Sequence, residues 1–233
     1  MLNIETSSFS LSGDGENFDF LAYASLPENV HLLAIADGVG SAQHGGDAAR
    51  LVIKTCTELG MPQKIPELFA ELNSKIQAAA GLAPDQWSTT LSACWITENT
   101  AVVGHVGDTR IYHLRNKGLQ TRTRDQTEVA KLIEEGVLSR ERALRYPRRN
   151  VLLSSLNGKG NFDLFQCEFS LQDNDRLLLL SDGVYKQVTK QEIVSLSLQN
   201  HRVEYFVKAI ENLVIERGLI DDASAICAEI HYS

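Results

Sequence analysis

The sequence predicts an α+β fold in which runs of strands are separated by pairs of helices, and three observations support this class. First, 43% of the 233 residues are hydrophobic and 22% are charged, which is ordinary for a globular protein with a substantial core. Second, no repeat, low-complexity tract or linker divides the chain, so we expect one domain over residues 1–233. Third, segments with strand periodicity occur in runs, and segments with helical periodicity occur in pairs between them.

The N-terminal half contains strands, a helix pair and then further strands. The segment 31–37 is almost wholly apolar, which predicts a central strand. The segment 47–59 repeats apolar residues at helical spacing, and Pro66 suits the first turn of the helix that follows it. In chain order we predict strands at 20–25 and 31–37, helices at 47–59 and 66–80, and strands at 89–96, 101–106 and 109–114.

The stretch 120–160 differs from the rest of the chain. Seven arginines lie between Arg122 and Arg149 with too few apolar residues for a core, which predicts an appendage over the main body. Two short polar helices are expected within it, at 125–135 and 139–146. After it we predict strands at 165–171 and 176–181, a helix from the capping-box segment 189–192 to about 198, a helix at 203–217 and a strand at 224–231.

Composition and charge argue against several kinds of function. The net charge of −8 disfavours nucleic acid or an anionic membrane as the main partner. The N-terminus lacks a leader pattern and no apolar run approaches membrane length, so we expect a cytoplasmic protein. The absence of Cys-x-x-Cys spacing disfavours a zinc site. The cysteines are far apart and each lies among apolar residues, which indicates buried free thiols. The four cysteines are Cys56, Cys94, Cys167 and Cys227.

Five short segments place an aspartate where an apolar run ends, beside glycine or another small or polar residue. One such end is an ordinary turn, and Asp-Gly is a common turn dipeptide, so unrelated hairpin turns are one interpretation. Several such ends in one domain indicate converging oxygen ligands for Mg²⁺ or Mn²⁺, which is the other. The aspartates concerned are Asp19, Asp37, Asp108, Asp182 and Asp221.

The segments around these aspartates occur in an ordered set with a known counterpart. They are Ala36-Asp37-Gly38-Val39-Gly40, Ser88-Thr89-Thr90-Leu91, the run 106–112 with Val-Gly-Asp-Thr-Arg-Ile-Tyr, the run 147–152 with Pro-Arg-Arg-Asn-Val-Leu, Leu180-Ser181-Asp182-Gly183, and Asp221-Asp222-Ala223-Ser224. In order and spacing, over nearly the whole chain, this set resembles the metal-dependent protein phosphatases, the 2C-type Ser/Thr phosphatases, and in particular their bacterial branch. The resemblance implies two stacked antiparallel β-sheets flanked by helix pairs (α-β-β-α), with a helical flap subdomain at about 120–160.

The family's chemistry would make this chain a Mg²⁺- or Mn²⁺-dependent hydrolase of phosphoserine and phosphothreonine in proteins. A water activated at a two-metal centre would attack phosphorus, so no protein nucleophile is needed. The implied partner is a phosphorylated protein, and the enzyme would oppose a Ser/Thr kinase in bacterial signalling. We expect a monomer.

The resemblance also assigns roles to individual residues. Asp37 would bridge both metals, and the Gly38 carbonyl would bind the second. Asp182 and Asp221 would hold the first metal, with Asp221 preferred to its neighbour because it fills the family's aspartate position. Asp108 would bind a third, weaker ion next to the flap.

Other residues near these motifs have more than one interpretation. His44, in the loop after Asp37, is a candidate proton donor, whereas His105 lies within an alternating strand and is expected to be packed. Arg110 is expected to brace the turn after Asp108 rather than to take part in catalysis.

The first family motif, which corresponds to Asp14-Gly15-Glu16-Asn17-Phe18-Asp19 in this chain, departs from the family pattern. Asp19 fills the aspartate position and is a candidate metal ligand. Phe18 replaces an acidic or amide side chain, and Asp14 replaces the arginine that would clamp the substrate phosphate. These departures leave open a second interpretation, a degenerate phosphatase that binds phosphoproteins without turnover. A hydrolase of small phosphorylated metabolites is a third.

Overall fold

The structure is a computed structural model that describes residues 2–13 and 15–232. Over these residues ten strands form two five-stranded antiparallel sheets. The strands are β1 (Leu2–Leu11), β2 (Asp19–Leu26), β3 (Val30–Asp37), β4 (Leu91–Thr97), β5 (Thr100–Val106), β6 (Arg110–Arg115), β7 (Gly118–Thr121), β8 (Phe165–Ser170), β9 (Arg176–Leu180) and β10 (Ala223–Tyr232). One sheet has the order β1-β10-β9-β6-β7 and the other β2-β3-β4-β5-β8.

Seven α-helices accompany these sheets within the described part of the chain. They are α1 (Gly45–Leu59), α2 (Ile65–Ala80), α3 (Glu128–Glu134), α4 (Arg140–Ala143), α5 (Asp182–Tyr185), α6 (Lys190–Gln199) and α7 (Val203–Arg217). Helices α1 and α2 pack on the sheet that contains β3, and α6 and α7 pack on the other sheet. The predicted α-β-β-α arrangement of two sheets between helix pairs is confirmed.

The apolar run of β3 is explained by burial on both of its faces. Leu32 and Ala34 contact the layer formed by α1 and α2, whereas Leu33 and Ile35 belong to the cluster between the two sheets. All four side chains are fully buried. A strand with helices on one face and a second sheet on the other needs apolar residues at every position, so its alternation disappears.

Three elements were not predicted. Strand β1 pairs with β10 along its whole length, from Leu2 opposite Tyr232 to Leu11 opposite Ala223, but it is an edge strand rich in Ser, Thr and Asn. Strand β7 is a four-residue edge strand and α5 is a single turn. Strand β7 and helix α5 are too short for sequence periodicity to detect, and in β1 polar residues interrupt the apolar positions.

The predicted appendage is a flap between β7 and β8 that carries α3 and α4. Neither helix has a buried residue, in agreement with its polar sequence. Helix α3 begins later than predicted because Thr127, and not Asp125, caps it through its side chain. Gln126 ties the flap to the sheets, since its Oε1 accepts from the Gly107 amide at 2.7 Å and its Nε2 donates to the Asp163 carbonyl at 2.6 Å.

Two further expectations concern free thiols and membrane-spanning segments. Cys56, Cys94 and Cys227 are buried free thiols, whereas Cys167 is a half-buried one. Among the helices described, none combines the length and the apolar character needed to cross a membrane.

Candidate metal centre

The five predicted aspartates lie at one end of the sandwich. Antiparallel pairing brings the end of one strand beside the start of the next, so residues far apart in sequence meet at the same edge. Asp19 and Asp37 are direct partners across β2 and β3. In position, Asp19 begins β2, Asp37 ends β3, Asp108 follows β5, Asp182 follows β9 as the first residue of α5, and Asp221 precedes β10.

The glycines that follow two of these aspartates allow close backbone approach. A Cβ atom on Gly38 would overlap the backbone of Gly45 at the start of α1. A Cβ atom on Gly183 would overlap the carbonyl oxygen of Asp222. Only glycine therefore lets the loop that carries Asp221 pack against the turn that carries Asp182.

Asp19 is a buried carboxylate with one oxygen available. Ser181 Oγ donates to its Oδ2 at 2.6 Å, whereas its Oδ1 is buried and has no hydrogen-bond partner among the described residues. Burial raises the pKa of Asp19 to about 7, and the nearby carboxylates of Asp182 and Asp222 add to this effect. An uncompensated buried carboxylate oxygen is costly unless a proton or a cation neutralises it.

Burial and neighbouring carboxylates also raise the pKa of Asp37, Asp108 and Asp221. Burial raises the pKa of Asp37 well above its usual value, and the carboxylates of Asp19, Asp182, Asp108 and Asp221 raise it further. Burial likewise raises the pKa of Asp108 to about 7, with Asp182 the largest charge contribution. The pKa of Asp221 is also raised, by burial and then by Asp182. Like charges held this close favour cation binding.

The donor set fits Mg²⁺ or Mn²⁺. All candidate ligands are carboxylate or main-chain oxygens, which these ions prefer over nitrogen or sulfur. Within residues 2–13 and 15–232, no three His, Cys, Asp or Glu side chains are arranged as a ready ligand set for one ion. Mg²⁺ keeps several waters and is commonly bound through one or two carboxylates, so the arrangement is compatible with such ions.

Asp222 has a different role from its neighbour Asp221. Its Oδ1 accepts from the Gly13 amide at 3.0 Å and its Oδ2 accepts from the Phe18 amide at 2.7 Å. Both oxygens therefore hold the loop of the first motif against the site. This role has no signal in the sequence, because it depends on a contact between opposite ends of the chain. Asp14, in the same loop, lies outside the described residues.

Two adjoining cavities open at this end of the molecule. The first, which we call the carboxylate cavity, has a volume of about 510 Å³ and is lined by Asp37, Asp108, Asp182 and Asp221, with Phe18 at its wall. The second, the flap groove, also has a volume of about 510 Å³ and lies between the flap and α5. Its lining includes Leu144, Arg149, Asn150, Lys186 and Ile220. The two share Asp108, Asn150 and Asp221.

The structure does not bring His44 to the carboxylates. His44 occupies the N-cap position of α1 without a capping hydrogen bond from its side chain. Its Nδ1 lies 3.0 Å from Asp47 Oδ2, and its ring stacks on Trp87 with centroids 5.2 Å apart. It lines neither cavity. This geometry does not support the predicted role of His44 as a proton donor.

His105 is packed, as expected, and Arg110 is held by neighbouring side chains. His105 is fully buried, its Nδ1 lies 2.8 Å from Ser92 Oγ, and burial lowers its pKa to about 4, so it is neutral at physiological pH. Arg110 donates to both oxygens of Asp125, at 2.9 and 2.6 Å, and its guanidinium lies 3.6 Å from the ring centre of Tyr185. Tyr185 in turn donates to Asp108 Oδ2 at 3.2 Å.

Comparison with known proteins agrees with the fold and with the sequence motifs. The family described as Protein phosphatase 2C matches residues 12–214. The serine/threonine protein phosphatase PstP of Mycobacterium tuberculosis is 30% identical over 215 residues, which cover 88% of this chain and 41% of that protein. This chain thus corresponds to less than half of that relative.

Two solved structures extend the comparison. The serine/threonine phosphatase Stp1 from Staphylococcus aureus has a TM-score of 0.91 at 22% identity, with 99% of this chain and 96% of that chain covered, which shows the shared fold. The catalytic domain of PstP in complex with two manganese ions has a TM-score of 0.84 at 26% identity, with both chains covered in full.

Proposed function

Because the chain belongs to the protein phosphatase 2C family, we propose that it hydrolyses phosphoserine and phosphothreonine in proteins with Mn²⁺ or Mg²⁺ ions held by its carboxylates. The observation that carries this proposal is the meeting of four aspartates from separate segments, Asp37, Asp108, Asp182 and Asp221, at one cavity. Burial and mutual repulsion raise the pKa of Asp37 there. A related PstP structure with two manganese ions supports the choice of ions. Such a cluster of carboxylates lowers the stability of the folded state unless cations neutralise it.

The ligand assignment that we propose follows the resemblance. Asp37 would bind both ions, the Gly38 carbonyl the second, and Asp182 and Asp221 the first; Asp108 would take a third, weaker ion. When bound, two divalent cations supply positive charge for the phosphoryl oxygens and increase the acidity of the water that attacks phosphorus. The contacts of Asp222 with two backbone amides support the choice of Asp221 as the ligand.

The remaining residues of the site would position these carboxylates. Ser181 holds one oxygen of Asp19 and leaves the other available, which supports Asp19 as a further ligand or as the acceptor of a hydrogen bond from bound water. Tyr185 holds one oxygen of Asp108 and is fixed by the guanidinium stacked on its ring. No histidine is required as a proton donor in this scheme.

The proposed substrate is a phosphorylated protein, since the flap groove continues from the carboxylate cavity and gives room for residues on either side of a phosphorylated side chain. An opposing Ser/Thr kinase, a role in signalling, a monomeric state and a cytoplasmic location stay predictions from the sequence and its resemblance. The single domain with a flap at about 120–160 is part of the same proposal.

The test is hydrolysis of p-nitrophenyl phosphate and of a phosphothreonine peptide in the presence of Mn²⁺, of Mg²⁺ and of EDTA. We expect turnover of both substrates with either ion and none with EDTA. Equal turnover in excess EDTA would contradict the metal-dependent mechanism.

A phosphoprotein-binding module without turnover is the second candidate, and the position of Phe18 favours it. Phe18 lines the carboxylate cavity where the family has an acidic or amide side chain. A binding module would bind the phosphothreonine peptide with Mn²⁺ present and release no phosphate over hours. Metal-dependent release of phosphate would exclude it.

A further inference from the structure

The carboxylate cavity has a deficit of positive side chains for a phosphate ligand. A phosphate monoester carries nearly two negative charges near neutral pH. Among the described residues, those that line this cavity include five aspartates and neither a lysine nor an arginine. Phosphate sites in proteins ordinarily combine bound cations with an arginine or lysine that donates hydrogen bonds to the phosphoryl oxygens.

Three basic side chains line the adjoining flap groove, and one of them is already committed. Arg110 donates to both oxygens of Asp125 and to the hydroxyl of Tyr112 at 3.0 Å, and it stacks on Tyr185. Three of its five N–H donors are used in these bonds, so it cannot turn toward a ligand without loss of this network. The other two are Arg149, on the exposed flap, and Lys186, which follows α5.

Lys186 stands at the boundary between the two cavities. It lies one helical turn after Asp182, so its ammonium contacts Asp182 Oδ2 in an i,i+4 pair. It also donates to Asn150 Oδ1 at 3.1 Å, and Asn150 lines both cavities. The Lys186 side chain is 36% exposed, so solvent and solutes reach it.

We propose that Lys186 is the phosphate-binding residue of this site. An ammonium has three N–H donors, and two of them already point to Asp182 and Asn150. The third is available for a phosphoryl oxygen of the substrate monoester or of the phosphate product. This inference rests on the proposed function and names the protein group that contacts the phosphate.

Direct binding of inorganic phosphate distinguishes a phosphate-binding Lys186 from a lysine that only neutralises Asp182. Lys186 could serve only as a counter-ion to Asp182, in which case its removal would change the affinity for Mn²⁺ and leave the affinity for phosphate unchanged. Calorimetric titration of inorganic phosphate into protein saturated with Mn²⁺ separates the two, once saturation is established for each variant.

We expect Lys186→Gln to weaken phosphate binding by about tenfold to a hundredfold, because a hydrogen bond from a charged donor is lost. The KM for p-nitrophenyl phosphate and the inhibition constant of phosphate should rise by a similar factor. Lys186→Arg should restore most of the affinity because it keeps the charge. Lys208→Gln, which removes an exposed lysine paired with Glu211 on α7, is the charge-matched control and should change neither constant.

Unchanged phosphate affinity in Lys186→Gln would overturn the inference, whether or not Mn²⁺ affinity changed. An equal loss in Lys186→Gln and Lys208→Gln would also overturn it, since the effect would then come from net charge alone. Phosphate binding that depends on Lys186 in a protein without metal-dependent hydrolysis would refute the proposed function while leaving this inference intact.

Discussion

Replacement of Asp19 by asparagine should stabilise the metal-free protein, and the gain should grow as the pH rises. The carboxyl pKa of Asp19 is about 7 in the folded protein against 3.8 as its ordinary value. Between these two values the folded protein holds a proton that the unfolded chain has lost, so ionisation opposes folding increasingly as the pH rises through this range. Asparagine has the shape of the protonated carboxyl and does not ionise.

The size of the effect follows from the two pKa values. With about 1.4 kcal/mol per pKa unit, the Asp19 carboxyl destabilises the folded state by about 2 kcal/mol at pH 5.5 and by about 4 kcal/mol at pH 8. The advantage of Asp19→Asn over the wild type should therefore increase by about 2 kcal/mol between these conditions. His105, whose pKa is lowered to about 4, has the opposite pH dependence, but it is present in both proteins and cancels in the difference.

Urea denaturation of EDTA-treated protein, followed by circular dichroism at both pH values, measures this difference. Saturating Mn²⁺ should remove most of the advantage, because a bound cation stabilises the ionised carboxylates of the wild type. If the free energies of unfolding of the two metal-free proteins differed equally at pH 5.5 and pH 8, the raised pKa of Asp19 and the reasoning from it would be wrong.

Three further predictions concern the site and the flap. Asp182→Asn should abolish hydrolysis and greatly weaken Mn²⁺ binding in calorimetry while the protein stays folded; full activity in this variant would contradict its role as a ligand. Asp222→Ala should lower the free energy of unfolding by about 1–3 kcal/mol in urea denaturation, since two backbone amides lose a charged acceptor; unchanged stability would show that the loop is held by other contacts. Charge reversal at Arg142 and Arg145, which are exposed on the flap, should slow hydrolysis of a phosphoprotein and spare p-nitrophenyl phosphate; equal loss on both substrates would indicate a disturbed fold instead.

The elements that sequence periodicity predicted are those with a distinct buried face. Helix α7 was predicted with its observed bounds, and the capping box of Thr189 and Glu192 is present at the start of α6. Strand β1 was missed because polar residues interrupt its apolar positions, although Phe9 is buried and Leu2 and Ile4 pack against the cluster between the sheets. Edge pairing leaves little trace in a single sequence.

The sequence by itself determined which residue types the candidate site contains. Aspartates at the ends of apolar runs, followed by glycine, identified Asp37 and Asp182, because strand ends and tight turns are local properties of the chain. Their order along the chain carried the family resemblance. The position of all five carboxylates at one end depends on antiparallel pairing within each sheet and on the stacking of the two sheets.

Only the tertiary structure decided the roles of residues whose partners are distant in sequence. It separated Asp221 from Asp222 through hydrogen bonds to a loop some two hundred residues away, and it placed His44 against Trp87 instead of the carboxylates. It also brought Lys186 to Asn150 at the boundary of the two cavities. Such roles depend on charge, burial and contact between segments that meet only after folding, and a one-dimensional pattern does not contain those distances.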